Sequence, residues 1–324
     1  MTKRTSLEIA GTELVPGERH ELELRPAQLP SGGWMAIPVV AFHGRLNGPV
    51  VWLSAALHGD EVNGVEIIRQ VMTRLDPTKM RGTVLAVPVV NVPGFATGDR
   101  YMPDRRDLNR SFPGTATGSL ASRFAHAFMT EIVRKSDVGI DLHTGSDHRH
   151  NIPQIRADLT DELTRELTTA FGAPFSLHAR LRDGSLREAA VRSDARVLLY
   201  EAGESWRFDQ QAIEVGVQGV RRVLAHLKVT PAGRMGKRTS TIELAASRWV
   251  RSPMSGLARL SAELGDHVEA GDQVGVVGDA IGSTEKKVVA RHAGWIIGRT
   301  ESPVVHRGDA LIHIAEQRDP EGSP

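Results

Sequence analysis

Two histidines and several carboxylates stand at the ends of apolar runs in this sequence. The stretch LSAALHGDEVNGVE (residues 53–66) stops an apolar run on His58, places Glu61 three residues later and resumes with helical spacing. A second run, SDVGIDLHTG, closes on His143, with Asp141 two residues before it. A third, DARVLLYEAGE, closes on Glu201, and Glu204 follows. Two imidazoles and one carboxylate from separate strand ends make a three-ligand zinc set that leaves a fourth position open for water. His58 and Glu61, three apart across a turn into a helix, can converge on one ion, and His143 would come from a neighbouring strand. Taken alone, His58 and Glu61 fit a polar turn equally well, so the constellation carries the argument rather than the pair. Asp141 and His143 share a strand face, so Asp141 either backs the histidine or caps a turn. The chain has no cysteine. Disulfides and thiolate sites are thereby excluded, and any transition metal must be held by His, Asp or Glu.

The elements that would position these residues follow from periodicity. Residues 1–45 read as irregular strands, with HELELRP alternating and LPSGGWMAIPVVAF broken by Pro and Gly. PVVWLSAAL is almost continuously apolar, as in a strand covered on both faces. EVNGVEIIRQVMTRL then sets Val62, Val65, Ile68, Val71, Met72 and Leu75 on one helical face. GTVLAVPVVNVPG reads as a second buried strand, and SLASRFAHAFMTEIVRK as a second helix with Leu120, Phe124, Phe128 and Ile132 on its stripe. The helix QQAIEVGVQGVRRVLAHL ends the alternation, which indicates a doubly wound α/β sheet. Open sheets of this kind hold their sites at strand ends. The segment NVPGFATGDRYMPDRRDLNRSFPG reads as a long loop of little periodicity, a feature that is usually functional or disordered.

After KVTPAGRMGKRTS the texture changes to short strands spaced by Gly-rich turns, which reads as a small all-β barrel or sandwich. The expected organisation is residues 1–45 as strands belonging to the α/β domain, 46–230 as the body of that domain and 240–318 as a C-terminal β-domain. The composition is that of a soluble globular protein, 40% hydrophobic and 24% charged. A formal net charge of +1 gives no electrostatic pull toward nucleic acid or an anionic membrane. The N-terminal stretch lacks the apolar core of a signal peptide, and no apolar run is long enough to span a bilayer. The expectation is a cytoplasmic protein with no nucleic-acid or membrane partner; a homo-oligomer stays open.

Four stretches, HGDE at 58–61, DLNRSFPG at 107–114, DLHTG at 141–145 and YEAGE at 200–204, together resemble the succinylglutamate desuccinylase/aspartoacylase family. That family is a branch of the zinc carboxypeptidase clan. The resemblance spans roughly residues 45–228, and a narrower likeness is to bacterial members with an added C-terminal β-domain, N-α-acetyl-diaminobutyrate deacetylases among them. It implies a carboxypeptidase-like doubly wound mixed sheet and one Zn2+ per chain on His58, Glu61 and His143. It gives Glu201 the general acid/base role and sets Arg100 beside the scissile carbonyl. Asn109 and Arg110 would grip the substrate's α-carboxylate, and Asp107 would stand behind a zinc-binding histidine.

The implied reaction is hydrolysis of the amide of a small N-acylated amino acid. Zinc brings the pKa of a bound water to about 7, and a carboxylate in reach can pass its proton to the departing amine. A guanidinium fork suits a carboxylate better than an ammonium does. Arg105 and Arg106 compete with Arg100 for its role, and Glu204 with Glu201. His148, Arg149 and His150 in TGSDHRHN are further candidate substrate contacts or solvated residues. A peptide-trimming carboxypeptidase and a non-catalytic metal-binding protein are the rival readings. LGDHVEAGDQVGVVG with VVARHAGWI resembles a biotinyl/lipoyl barrel. The position of that barrel's modified lysine falls near Ser283, with Lys286 and Lys287 closer to the next strand, so a barrel without a carrier lysine is expected.

Overall fold

The structure, a computed structural model, describes residues 6–233, 236 and 240–318. A short ribbon, β1 (Glu8–Ile9) with β2 (Thr12–Glu13), precedes two long strands, β3 (Glu18–Gln28) and β4 (Trp34–His43). β5 (Leu46–Ala55), β6 (Arg81–Val87), β7 (Val138–Gly145), β8 (Arg149–Ala157), β9 (Phe175–His178) and β10 (Arg196–Glu204) follow, with helices between them. The helices are α1 (Asn63–Met72), α2 (Val92–Thr97), α3 (Leu120–Glu131), α4 (Glu162–Phe171), α5 (Leu186–Val191) and α6 (Gln210–His226). The last third adds β11 (Ile242–Arg251), β12 (Gly256–Leu260), β13 (His267–Val268), β14 (Gln273–Gly278), β15 (Glu285–Val289), β16 (Gly294–Thr300), β17 (Val304–Val305) and β18 (Ala310–Gln317).

Twelve strands form one mixed sheet in the order β13-β16-β18-β11-β9-β8-β10-β7-β5-β6-β4-β3. Its centre is parallel, β10 and β5 flanking β7 and β6 lying beside β5. β8 runs antiparallel to β10. The continuous apolar run in β5 has its reason here, because Trp52 packs into the cluster with Phe124 and Phe128 while Leu53 packs into the cluster with Ile68 and Val220. Successive side chains of a strand point to opposite faces, so a strand with helices on both sides needs apolar residues at every position.

Several elements depart from the expectation. Within the described part of residues 1–45, β3 and β4 run 11 and 10 residues as an antiparallel pair, longer than the broken strands expected, with one register shift between Leu24 and Ala27. The segment 91–114 is not structureless. Asn91 caps α2 by accepting from the Gly94 amide at 2.9 Å, Gly98 ends it in a left-handed conformation, and Leu108–Arg110 form a 3-10 turn. α4, β9 and α5 lie where the pattern was not read, although Asp161 at the start and Gly172 at the end of α4 are ordinary cap residues.

β11 runs parallel to β9 and antiparallel to β18, and β16 pairs with both β18 and β8. Phe175 and Leu177 of β9 pack with Leu244 and Ile297 across this junction. A second sheet, β15-β14-β12-β17, closes over Val274, Val277, Val288 and Leu311. Among the described residues no helix is long and apolar enough to cross a membrane.

Candidate metal centre and substrate cavity

β5 ends at Ala55, and the next residue, Ala56, has φ of +47°, which turns the chain out of the strand. His58 and Glu61 lie on the turn before α1. Gly59 lets that turn press against α2: a Cβ there would sit 2.1 Å from Gly94 C and 2.5 Å from Asp99 O. No side chain fits at such distances. His143 is brought in by β7, whose every residue is buried. Ligand atoms of His58, Glu61 and His143 lie within 4.8 Å of one another, all three residues buried.

Each ring nitrogen of the two histidines meets a carboxylate. His58 Nδ1 is 2.7 Å from Glu61 Oε1, and its Nε2 is 3.2 Å from Asp107 Oδ1. His143 Nδ1 is 2.8 Å from Glu61 Oε2, and its Nε2 is 2.8 Å from Asp141 Oδ2. A neutral imidazole has one N–H to donate and cannot satisfy two acceptors. Either both rings are imidazolium, or a cation among the two Nδ1 atoms and Glu61 takes the place of the inner protons. The donor set fits that cation, since N–H···carboxylate bonds on the outer nitrogens fix the tautomer that offers Nδ1 inward.

The electrostatics point the same way. Burial opposes charge on Glu61, but the flanking imidazoles outweigh it and hold the carboxyl well below its ordinary range. Burial likewise opposes charge on His143, yet Asp141 and Glu61 push it well above the ordinary histidine value. His58 is also raised, burial being outweighed by Glu61 and Asp107. A cluster that attracts protons this strongly attracts other cations by the same field.

The supporting residues are ordered in turn. Ser54 is the register partner of Asp141, and its hydroxyl donates to Asp141 Oδ1 at 2.7 Å. Asp107 accepts from the Asn109 amide at 2.8 Å and lies 3.4 Å from Arg100 Nη2, whose Nη1 is 3.2 Å from Glu61. β10 pairs with β7 so that Glu201 lies directly beside His143. Asn151 Nδ2 donates to Glu201 Oε2 at 2.8 Å.

One cavity of about 1000 Å³ joins these groups, lined by His58, Glu61, His143, Arg100, Asn109, Arg110 and Glu201. Asp107 and Asp141 stand behind the histidines. The side-chain Oδ1 of Asn109 accepts from the Leu186 main-chain amide at 2.9 Å, and Arg110 donates to the Asn109 main-chain oxygen. Arg149 lines the cavity, but His148 and His150 do not. His148 packs on Trp206, and His150 pairs with Asp209 at 3.1 Å. Glu204 pairs with Arg207, and Arg105 and Arg106 are exposed. Ser283 hydrogen-bonds Asp279 in the turn between β14 and β15, and Lys286 and Lys287 are exposed on β15. The sequence reading did not find Ser54, Asn151 or the cavity wall of Trp249 and His313 from β11 and β18.

The model of the succinylglutamate desuccinylase/aspartoacylase catalytic domain matches residues 47–227. The N-alpha-acetyl-L-2,4-diaminobutyric acid deacetylase of Halomonas elongata is 29% identical over 314 residues, 93% of this chain and 92% of that protein. The product-bound ectoine utilization protein EutE from Ruegeria pomeroyi superposes with a TM-score of 0.82 at 25% identity, covering 92% of this chain and 94% of its own. A succinylglutamate desuccinylase/aspartoacylase from Rhodobacter sphaeroides does so with a TM-score of 0.82 at 27% identity, covering 93% and 96%. With its catalytic-domain model matched over more than half its length, the chain belongs to the succinylglutamate desuccinylase/aspartoacylase family.

Proposed function

We propose that this chain is a zinc-dependent deacylase that hydrolyses the amide of a small N-acylated amino acid. The observation that carries the reading is the arrangement of the donor set. His58, Glu61 and His143 face one point, each histidine is backed by its own carboxylate, and Glu201 stands beside His143 in the same cavity. Zinc bound there would supply Lewis acidity, polarising a carbonyl and making a water acidic near neutral pH. An all-His/Glu set with no thiolate suits that metal.

The remaining work falls to the protein's own groups. Glu201, oriented by Asn151, takes the proton of the attacking water and returns it to the departing amine. Arg100, held against Glu61 and Asp107, supplies donors to the oxygen that gains charge as the carbonyl becomes tetrahedral. Asn109 and Arg110 grip the α-carboxylate, a role the guanidinium fork suits. Residues 46–230 form the hydrolase part of this reading, with a carboxypeptidase-like sheet, and residues 240–318 the added β-domain. Ala245–Trp249 and His313 of that β-domain close one side of the cavity, which favours a small substrate over a peptide.

The test is hydrolysis of N-acyl amino acids by the zinc-loaded protein, alongside Glu201→Gln. The variant should keep its zinc and lose about 10²–10⁴-fold in kcat, the usual weight of a general base. Full activity in a zinc-replete Glu201→Gln protein refutes the mechanism. Turnover of C-terminal dipeptides alone moves the chain to the peptidases.

A further inference from the structure

Gly298 of β16 lies directly opposite Asn151 of β8, in the antiparallel pair that joins the last third of the chain to the α/β part. A glycine inside a strand weakens it and so marks a bulge or a close approach. Both are present here. The β16–β18 register shifts between Ile296 and Gly298, and a Cβ at Gly298 would sit 2.7 Å from Asn151 Oδ1. The next nearest atoms, His313 Cβ at 3.4 Å and the His150 carbonyl oxygen at 3.6 Å, are at ordinary contact distances. The Gly298 backbone is outside the left-handed region, so its conformation would accept an L side chain. Room for the Asn151 amide, rather than φ, is what the missing side chain provides.

That amide has one useful orientation. A carboxylate only accepts hydrogen bonds, so Nδ2 faces Glu201 Oε2, 2.8 Å away, and Oδ1 is left facing β16. On its other edge Asn151 is opposite Gly203 of β10, where the register shifts between Glu201 and Gly203. Asn151 thus sits between two glycines and beside two irregularities, and bulges re-aim the side chains around them. Gln154 adds a second tie. It is the register partner of Glu201, and its Nε2 donates to the Ile297 carbonyl at 3.0 Å. β16 therefore meets β8 through the register partner of Glu201 and through the donor to its carboxylate.

Resting on the deacylase reading, in which Glu201 carries the proton, we infer that Gly298 is a positioning residue. The β-domain aims the general base through the space that this glycine leaves for Asn151. Gly298 does not line the cavity, so it acts on the reaction only through that amide. A methyl there pushes on the amide, the movable end of a short side chain. Glu201 then loses its donor, while the metal-binding residues and the substrate contacts stay in place.

The experiment compares Gly298→Ala, Asn151→Ala and the double variant, all zinc-loaded. Gly298→Ala should keep zinc affinity within about twofold of the parent and lower kcat about tenfold, with KM changed less than about twofold. The ceiling is the loss in Asn151→Ala, the worth of a hydrogen bond to a charged group. In the Asn151→Ala background the same methyl should cost less than about twofold, whereas a general packing role would cost as much there as in the parent. Should Gly298→Ala alone fail to fold, the double variant should fold and match Asn151→Ala; a double variant that also fails to fold overturns the inference. The side-chain amides give a readout without catalysis, because the chain has only five asparagines. With 15N-asparagine labelling, the Asn151 amide signals, assigned by their loss in Asn151→Ala, should move in Gly298→Ala and in Glu201→Gln. Parent kcat in a folded Gly298→Ala protein, an equal loss in both backgrounds, or Asn151 signals unmoved by Gly298→Ala overturns the positioning role and leaves the deacylase standing. Signals that move in a protein that cleaves no acyl amide support the positioning of Glu201 and overturn the deacylase.

Discussion

Asp141→Asn isolates the role of the carboxylate behind His143. Asp141 Oδ2 lies 2.8 Å from His143 Nε2, and Asp141 is 1% exposed, so solvent screens the contact little. Two full charges at about 4 Å interact by about 4 kcal/mol at an effective dielectric near 20. That sets the ceiling, because with metal bound the imidazole is neutral and the variant amide oxygen still accepts from Nε2–H. What the substitution removes is the polarisation of the ring and the match to Ser54, whose hydroxyl now donates to Oδ1 at 2.7 Å. Losses of this kind run about 10–100-fold in metal affinity, or about 1.4–2.7 kcal/mol. Asp107 makes the corresponding bond to His58 at a longer 3.2 Å with its side chain 18% exposed, so Asp107→Asn should cost less. Competition for zinc against a fluorescent chelator near neutral pH measures both, with circular dichroism confirming the fold. Zinc affinity within twofold of the parent in a folded Asp141→Asn protein would refute the reasoning. So would a larger loss in Asp107→Asn.

Gly59→Ala should destabilise the fold by about 1–3 kcal/mol, as overpacking does, and lower activity as well, because the new methyl would meet main-chain atoms of Gly94, Phe95 and Asp99; urea denaturation and kinetics check the two effects. Asn151→Ala should leave zinc binding intact and reduce kcat by about 10–100-fold, the worth of a hydrogen bond to a charged group, since it removes the donor that orients Glu201; unchanged kcat would deny Asn151 that role. Burial, then Arg156 and Arg149, hold the His313 imidazole down to about 3, against 6.5 ordinarily. Below about pH 6.5 the unfolded chain gains a proton that the folded chain refuses, so stability from this residue is complete above that pH and falls by up to about 1.4 kcal/mol per pH unit toward pH 3. His313→Asn should therefore flatten the pH dependence of unfolding between pH 7 and 5 relative to the parent, and parallel profiles would exclude this source.

What was legible in the sequence was local chemistry at strand ends. His58 and Glu61 interrupt an apolar run, and His143 and Glu201 end one; a polar turn gives the same local pattern, so only the four together pointed to a site. Their convergence depends on the strand order β10-β7-β5, which no spacing encodes. Ser54 was hidden for the same reason: it reaches Asp141 only because β5 and β7 are neighbours, 87 positions apart along the chain. Asn151 meets Glu201 across an antiparallel pair that the motif-bearing segments do not include. Arg187 was invisible among many arginines, since burial, not residue type, sets it apart. α4 carries a local signal of its own, as Asp161 and Gly172 bracket a stripe of Thr164, Leu167 and Phe171.

The pairing of β11 with β9, and of β16 with β8, has a consequence for how the molecule comes apart. Strands that share a hydrogen-bonded ladder and the Phe175–Leu244–Ile297 contacts lose them together. The last third of the chain is thus coupled to the strands that carry the site during unfolding. Truncation near residue 240 would not yield a tidy smaller enzyme. It would strip β9 of its neighbour and leave an open row of main-chain donors and acceptors beside apolar Phe175 and Leu177, a template for pairing with other chains. The C-terminal strands thus act as the guard that keeps this sheet from aggregating as well as one wall of its cavity.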